Sequence, residues 1–190
     1  MNANEISMHE TVCLIGTADR YVAHAEIDRQ WKDYPRNGQR FWKYGIVQID
    51  DSSSIGIIRT DNPAVGDGWH EIVAESAVSG IVFAGPKKVT QYGEFRRSGD
   101  LFFEERLSRY GNLTSLEVSD ALTVAINKNR NNFAMPARFA RFSLDAFDPA
   151  SVRLLLLDGI GGARAFGMGM IVPEFSKAYP VVETVASICF

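Results

Sequence analysis

Five glycines fall within the eleven residues 159–169, in the segment Asp158-Gly-Ile-Gly-Gly-Ala-Arg-Ala-Phe-Gly-Met-Gly-Met170. Neither a helix nor a strand survives that density, because each glycine adds backbone freedom and withholds a side chain from packing. The segment must be a loop. A strong helix signal anchors its N-terminal side: Asp148 followed by Pro149 is a cap with proline at the first helical position, Leu154–Leu157 is an apolar run, and Gly159 is the stop. Glycines of this kind let backbone amides approach an anion closely, and Arg164 adds a fixed cation, so phosphate or an RNA backbone is the natural ligand. Two other readings stay open. Leu154–Leu157 read as a buried strand leading into Gly159-x-Gly161 would start a dinucleotide fingerprint, but its third glycine falls on Arg164 and glycines 167 and 169 spoil the receiving helix. The third reading is a connection that needs glycine only for tight packing.

A phosphate ligand must be squared with the charge. The 190 residues carry 20 Lys+Arg against 23 Asp+Glu, a net charge of −3, which taken alone counts against nucleic acid. The small total hides an asymmetry: residues 1–75 hold 12 acids and 7 bases, whereas residues 76–190 hold 11 acids and 13 bases. Two basic segments stand out, one with Lys87, Lys88, Arg96 and Arg97, the other with Lys128, Arg130, Arg138 and Arg141 and no acid between its ends. A basic surface is thus available in the second half, although solvated charged faces are also the ordinary condition of Lys and Arg.

The remaining composition, 46% hydrophobic and 23% charged, is that of a globular chain. No apolar run approaches the roughly 18–20 residues needed to cross a bilayer, and the first residues show no basic segment followed by a hydrophobic one. Cys13 and Cys189 lie far apart in sequence and His9, His24 and His70 are scattered, which points away from a disulfide framework or a zinc site. The expectation is a cytoplasmic protein with no metal, no cofactor and no membrane association.

Along the chain, residues 11–16 read as a strand and 19–32 as a helix capped by Asp19. Tyr21 and His24, three apart, share one side of that helix. Strands are predicted at 41–49 and 55–60 around the polar turn 50–54, a short amphipathic helix after Trp69, and a strand at 78–84. Strand, helix, strand, strand, short helix, strand is a ferredoxin-like order. Later come a basic loop over 86–100, a helix at 101–109, strands near 113–118, 121–127 and 138–144, and a last strand at 171–172 ended by Pro173. Phe41, Trp42 and Tyr44 read either as core and cross-strand aromatics or as platforms for stacking bases.

Residues 142–170, from Phe142-Ser-Leu-Asp-Ala-Phe-Asp-Pro through the glycine-rich loop, resemble the end of the CRISPR-associated RAMP endoribonucleases of the CasE type. Tyr21-Val-Ala-His24 matches that family's Tyr-x-x-His on its first helix. Arg40-Phe-Trp-Lys-Tyr and Ile81-Val-Phe-Ala-Gly-Pro-Lys-Lys are only loosely similar. The resemblance implies an α+β chain of tandem ferredoxin-like (RRM-like) domains, at 1–77 and 78–175, with the C-terminal glycine-rich loop in the second and a tail at 176–190.

It further implies cleavage of CRISPR repeat RNA hairpins to mature guide RNA, through attack by the 2′-hydroxyl that leaves a 2′,3′-cyclic phosphate and a 5′-hydroxyl. His24 would move the proton, as an imidazole can near neutral pH, and Tyr21 would assist. Arg29 and Lys32 are further candidates for the phosphate charge. Gly159, Gly161, Gly162, Arg164 and Gly167 would lie near the RNA backbone, and the two basic segments would grip the stem. The implied partners are the guide RNA hairpin and the other subunits of a multi-subunit CRISPR effector complex. The competing reading is a non-catalytic RAMP-type RNA-binding subunit that caps a guide RNA; without the resemblance, His24 reads as an incidental helix residue. A nucleotide-binding protein that uses the glycine loop is a more distant third.

Overall fold

The computed structural model describes residues 6–31, 42–61, 67–74, 76–86, 95, 98–128 and 131–190. Strand β1 (Ile6–Ile15) leads into helix α1 (Arg20–Gln30), which returns the chain to β2 (Trp42–Gln48) and its hairpin partner β3 (Ser54–Thr60). Asp19 does cap α1: its Oδ1 accepts from the amides of Tyr21 at 2.8 Å and Val22 at 3.1 Å. Strand β4 (His70–Ala74) pairs with the other edge of β1, so the sheet runs β2-β3-β1-β4 with all neighbours antiparallel. That is the strand order of a ferredoxin-like unit. The expected short helix after Trp69 is corrected to β4. Ile72 is buried while Glu71 and Val73 face outward, a period of two that suits the β-branched Ile72-Val73 pair.

The second unit comprises β5 (Ala77–Ala84), α2 (Gly99–Leu107), β6 (Gly111–Val118), β7 (Leu122–Lys128), β8 (Asn131–Ala146), α3 (Pro149–Asp158) and β9 (Ile171–Pro173). Its sheet order, β6-β8-β5-β9, repeats the first, and the chain is an α+β protein of two ferredoxin-like units. Strand 78–84 therefore does not close the first sheet, as its place after the first helix and hairpin suggested. It stands between β8 and β9 because both its faces are apolar: Val82 and Ala84 enter one core, Ile81 and Phe83 the other. The 16-residue β8 serves three partners, β7 along its first half and β5 and β6 on either side of its second.

One face of the second sheet is covered by α2 and α3, whose Phe103, Leu107, Val152, Leu155 and Leu156 join Met8 and Ile72 of the first sheet. The opposite face meets the first sheet directly: Ile81, Phe83, Ala137 and Phe139 pack with Val47, Ile55 and Ile57. Across this junction the inward-facing Arg59 and Glu10 form a fully buried ion pair at 2.5 Å. The segment 176–190, expected as a tail, carries helix α4 (Tyr179–Ser187), and its Val182 and Ala186 are buried in the same junction. These two positions are one turn apart and give α4 a single buried stripe.

Candidate active site

Arg20, Ala23 and Ile27 form the buried stripe of α1, packing towards Ile46 and Ile58 of the first sheet. At 3.6 residues per turn the neighbouring stripe is Tyr21, His24 and Asp28, all half-buried at the edge of that contact. The His24 ring lies flat on Tyr44 of β2, with centroids 5.1 Å apart and planes 19° apart. Its Nε2 is 3.2 Å from Oδ2 of Asp28, one turn along. Its Nδ1 is buried and has no hydrogen-bond partner among the described residues. Tyr44 thus backs the histidine, and Trp42 is placed by its backbone alone. Arg29 is tied to Glu26 at 2.6 Å on the exposed face, away from the buried stripe. Phe41 and Lys32 fall outside the described residues.

The glycine-rich loop sits beside this helix. Arg20 Nη1 donates to the carbonyls of Ile46 at 2.8 Å and Phe166 at 3.2 Å, and its guanidinium lies 5.1 Å from the centre of the Phe83 ring. One buried cation therefore joins α1, β2 and the loop. Desolvation lowers its pKa to about 10, so it stays charged near neutrality. Residues Arg164–Phe166 make a single 3-10 turn, and Phe166 meets Phe133 of β8 edge-on at 5.5 Å. Helix α1 also lies against β7, so the β7–β8 hairpin flanks the same place.

Four of the five loop glycines donate their amides within the fold rather than holding them open. Gly159 N donates to Leu155 O, Gly162 N to Gly85 O and Gly167 N to Arg164 O. The ends are stitched together by Ile160 N to Gly169 O at 2.8 Å and sewn to the sheets by Gly169 N to Phe83 O and Ile46 N to Gly167 O. Glycine is required by close approach: Gly169 has φ +85° with the Ile160 carbonyl where a Cβ would stand, and at Gly167, φ +71°, a Cβ would lie 2.7 Å from Ile46 Cβ. What the loop presents outward is Gly162 and the side chain of Arg164, with Gly161 half-buried before them and Ala163 buried between. Lys43 on β2 approaches Asp158 at 3.9 Å, adding a cation at the start of the loop.

The expected stem-gripping surface is described only in part. Lys87, Lys88, Arg96, Arg97 and Arg130 lie outside the described residues, and Lys128 is placed by its backbone as the last residue of β7. Arg138 and Arg141 point to opposite faces of β8, because a spacing of three in a strand reverses direction. Arg138 Nη1 donates to Ser119 O at 2.8 Å beside Phe95. Arg141 is held between Glu183 at 2.8 Å and Glu117 at 3.3 Å, over the Phe190 ring. These two arginines do not form one basic patch. The contributions of Asp28, Arg20 and Lys43 were missed in the sequence; only Asp28 had a signal there, its i+4 spacing from His24. Among the described residues no three His, Cys, Asp or Glu side chains gather as metal ligands would, and no helix is long and apolar enough to cross a membrane.

Solved structures share this architecture. A CRISPR endoribonuclease Cse3 bound to a 19-nucleotide RNA superposes with TM-score 0.62, 14% identity, and coverage of 88% of this chain and 99% of that one. The fold is that of Cse3. The CRISPR-associated protein Cas6e of Escherichia coli K-12 matches with TM-score 0.58 at 10% identity over 87% of this chain and 98% of its own. A chain of a CRISPR RNA-guided surveillance complex matches at 0.55 with 15% identity, over 87% and 98%. No family model and no curated protein sequence matches the chain. The Cse3 fold is thus held here at 10–15% sequence identity to these three structures.

Proposed function

We propose that this protein is an endoribonuclease that cuts the hairpin of CRISPR repeat RNA and remains on the guide RNA as a subunit of the effector complex. The reaction needs no metal in principle. The ribose 2′-hydroxyl loses its proton, its oxygen bonds to the adjacent phosphorus, the bond from phosphorus to the 5′-oxygen breaks, and that oxygen takes up a proton. The products are a 2′,3′-cyclic phosphate and a 5′-hydroxyl. His24 and Tyr21 move the protons; Arg164 and the outer rim of the glycine loop face the phosphates, and the fixed cation favours the charge that builds there.

The observation that carries this reading is the junction at Arg20, which sets the Tyr21–His24 stripe directly beside the glycine-rich loop in a fold shared with an RNA-bound Cse3. A second reading, a non-catalytic guide-RNA-capping subunit, is favoured by one detail: in this structure Nε2 of His24 is taken by Asp28 and Nδ1 is covered. Incubating the purified protein with labelled repeat-type stem-loop RNAs in EDTA separates the two. The endoribonuclease reading expects a cut with a cyclic phosphate end, lost in His24→Ala while RNA binding survives. Binding without any cut across the panel supports the capping subunit instead.

A further inference from the structure

The His24 ring is restrained on three sides. Tyr44 covers one face, Asp28 takes Nε2, and Nδ1 is enclosed without a partner among the described residues. These contacts come from two elements, α1 and β2, and so fix the ring relative to the sheet as well as to its own helix.

We propose that Asp28 is a positioning residue for His24, holding the imidazole in the tautomer with its proton on Nε2 and its lone pair on Nδ1, while Tyr44 fixes the ring plane. The proposal rests on the endoribonuclease reading above. A carboxylate only accepts, so the 3.2 Å approach of Asp28 Oδ2 to Nε2 favours a proton on that nitrogen. In the neutral ring Nδ1 then carries an acceptor lone pair. A buried acceptor with no partner is a costly arrangement, which folding tolerates where a ligand donor completes it. A ribose hydroxyl is such a donor, and it is the group whose proton the reaction must remove; because Nδ1 is covered in this structure, the scheme requires its cover to shift as RNA docks. Asp28 itself touches no substrate in this scheme. It acts by deciding which nitrogen is free, and an i, i+4 partner on a capped helix is well placed for that because the spacing is fixed by the backbone.

The test uses the intact protein and three substitutions, Asp28→Ala, Asp28→Glu and His24→Ala. Long-range proton–nitrogen NMR correlations of the His24 ring read the tautomer directly, without RNA. Single-turnover cleavage and equilibrium binding of the same stem-loop RNA read the consequence. The expected result is an Nε2-protonated ring in the wild type, a mixed tautomer in Asp28→Ala, a ~10-fold slower cut, part of the ~100-fold or more available to general acid–base catalysis, and unchanged RNA affinity. Asp28→Glu should recover most of the rate. A ring spectrum unaltered by Asp28→Ala overturns the proposal whether or not the protein cuts. So does wild-type cleavage by Asp28→Ala when His24→Ala is inactive. If His24→Ala also cuts at the wild-type rate, the fault lies with the catalytic reading of His24, and Asp28 loses its role with it.

Discussion

Arg59 of β3 and Glu10 of β1 face each other in register and pair at 2.5 Å with both side chains sealed from water. The other end of the guanidinium donates to the carbonyls of Leu156, at 2.7 Å, and Ile171, at 3.0 Å, in the second unit. Ser176 donates to the remaining Glu10 oxygen at 2.6 Å. Leu156 lies in the last turn of α3, where helical carbonyls lack partners, so a cation supplied from the first sheet satisfies a group the helix leaves open.

Removing Arg59 would strand a buried carboxylate and two carbonyls. Arg59→Ala is expected to destabilise the protein by about 3–5 kcal/mol. Urea denaturation should show a lower midpoint. A midpoint within error of wild type would mean that water reaches Glu10 and the pair is not the clasp described here.

At Gly169 the collision with Ile160 and the positive φ act together. Gly169→Ala should cost about 1–3 kcal/mol from backbone strain alone, with a further penalty for displacing the stitched strands. Calorimetry measures the loss. An alanine variant as stable as wild type would show that the loop tolerates opening and that its glycines serve something other than close packing.

Arg164 is exposed, and among the described residues its side chain makes a single hydrogen bond, to Gly161 O at 3.3 Å, which is long. Arg164→Ala is therefore expected to leave stability within about 0.5 kcal/mol of wild type. If the loop rim meets phosphate, the same variant weakens RNA binding and lowers the slope of log affinity against log salt by about one. Equal slopes for the two proteins would take Arg164 out of the interface.

The carboxylate of Asp50 accepts first from the backbone amide of Ser52 and then from the Ser53 and Ser52 hydroxyls, and these bonds hold its pKa below the usual value. A depressed carboxylate stabilises the fold above the ordinary Asp range and loses that contribution as pH falls through the folded-state value. Asp50→Ala should accordingly be less stable than wild type at neutral pH, and the two should converge in strong acid. Parallel stability–pH curves would contradict the assignment.

Local chemistry carried much of the fold in the sequence. Asp19 and Asp148 do cap their helices, the Ser-rich turn joins β2 to β3, and Tyr21 and His24 do share a stripe. What escaped was decided by distant partners. Whether 77–84 closes one sheet or centres another depends on β8, some fifty residues later. Helix α4 is β-branched and short, and becomes a helix against a junction no local pattern describes. The glycine loop shows anion-binding composition, yet the amides of Gly162 and Gly169 go to Gly85 and Phe83, partners set by the tertiary fold. Arg138 and Arg141 look like one cluster until a strand turns them apart.

Arg20 gives the molecule a ruler. The span from the start of α1 to the Phe166 carbonyl is bridged by one extended guanidinium with Ile46 in between. His24 follows one turn later, so the helix that carries the imidazole is tied to the 164–166 turn through that single side chain. The reach of arginine rather than a shorter side chain at position 20 thus sets how far the loop stands from the start of the helix.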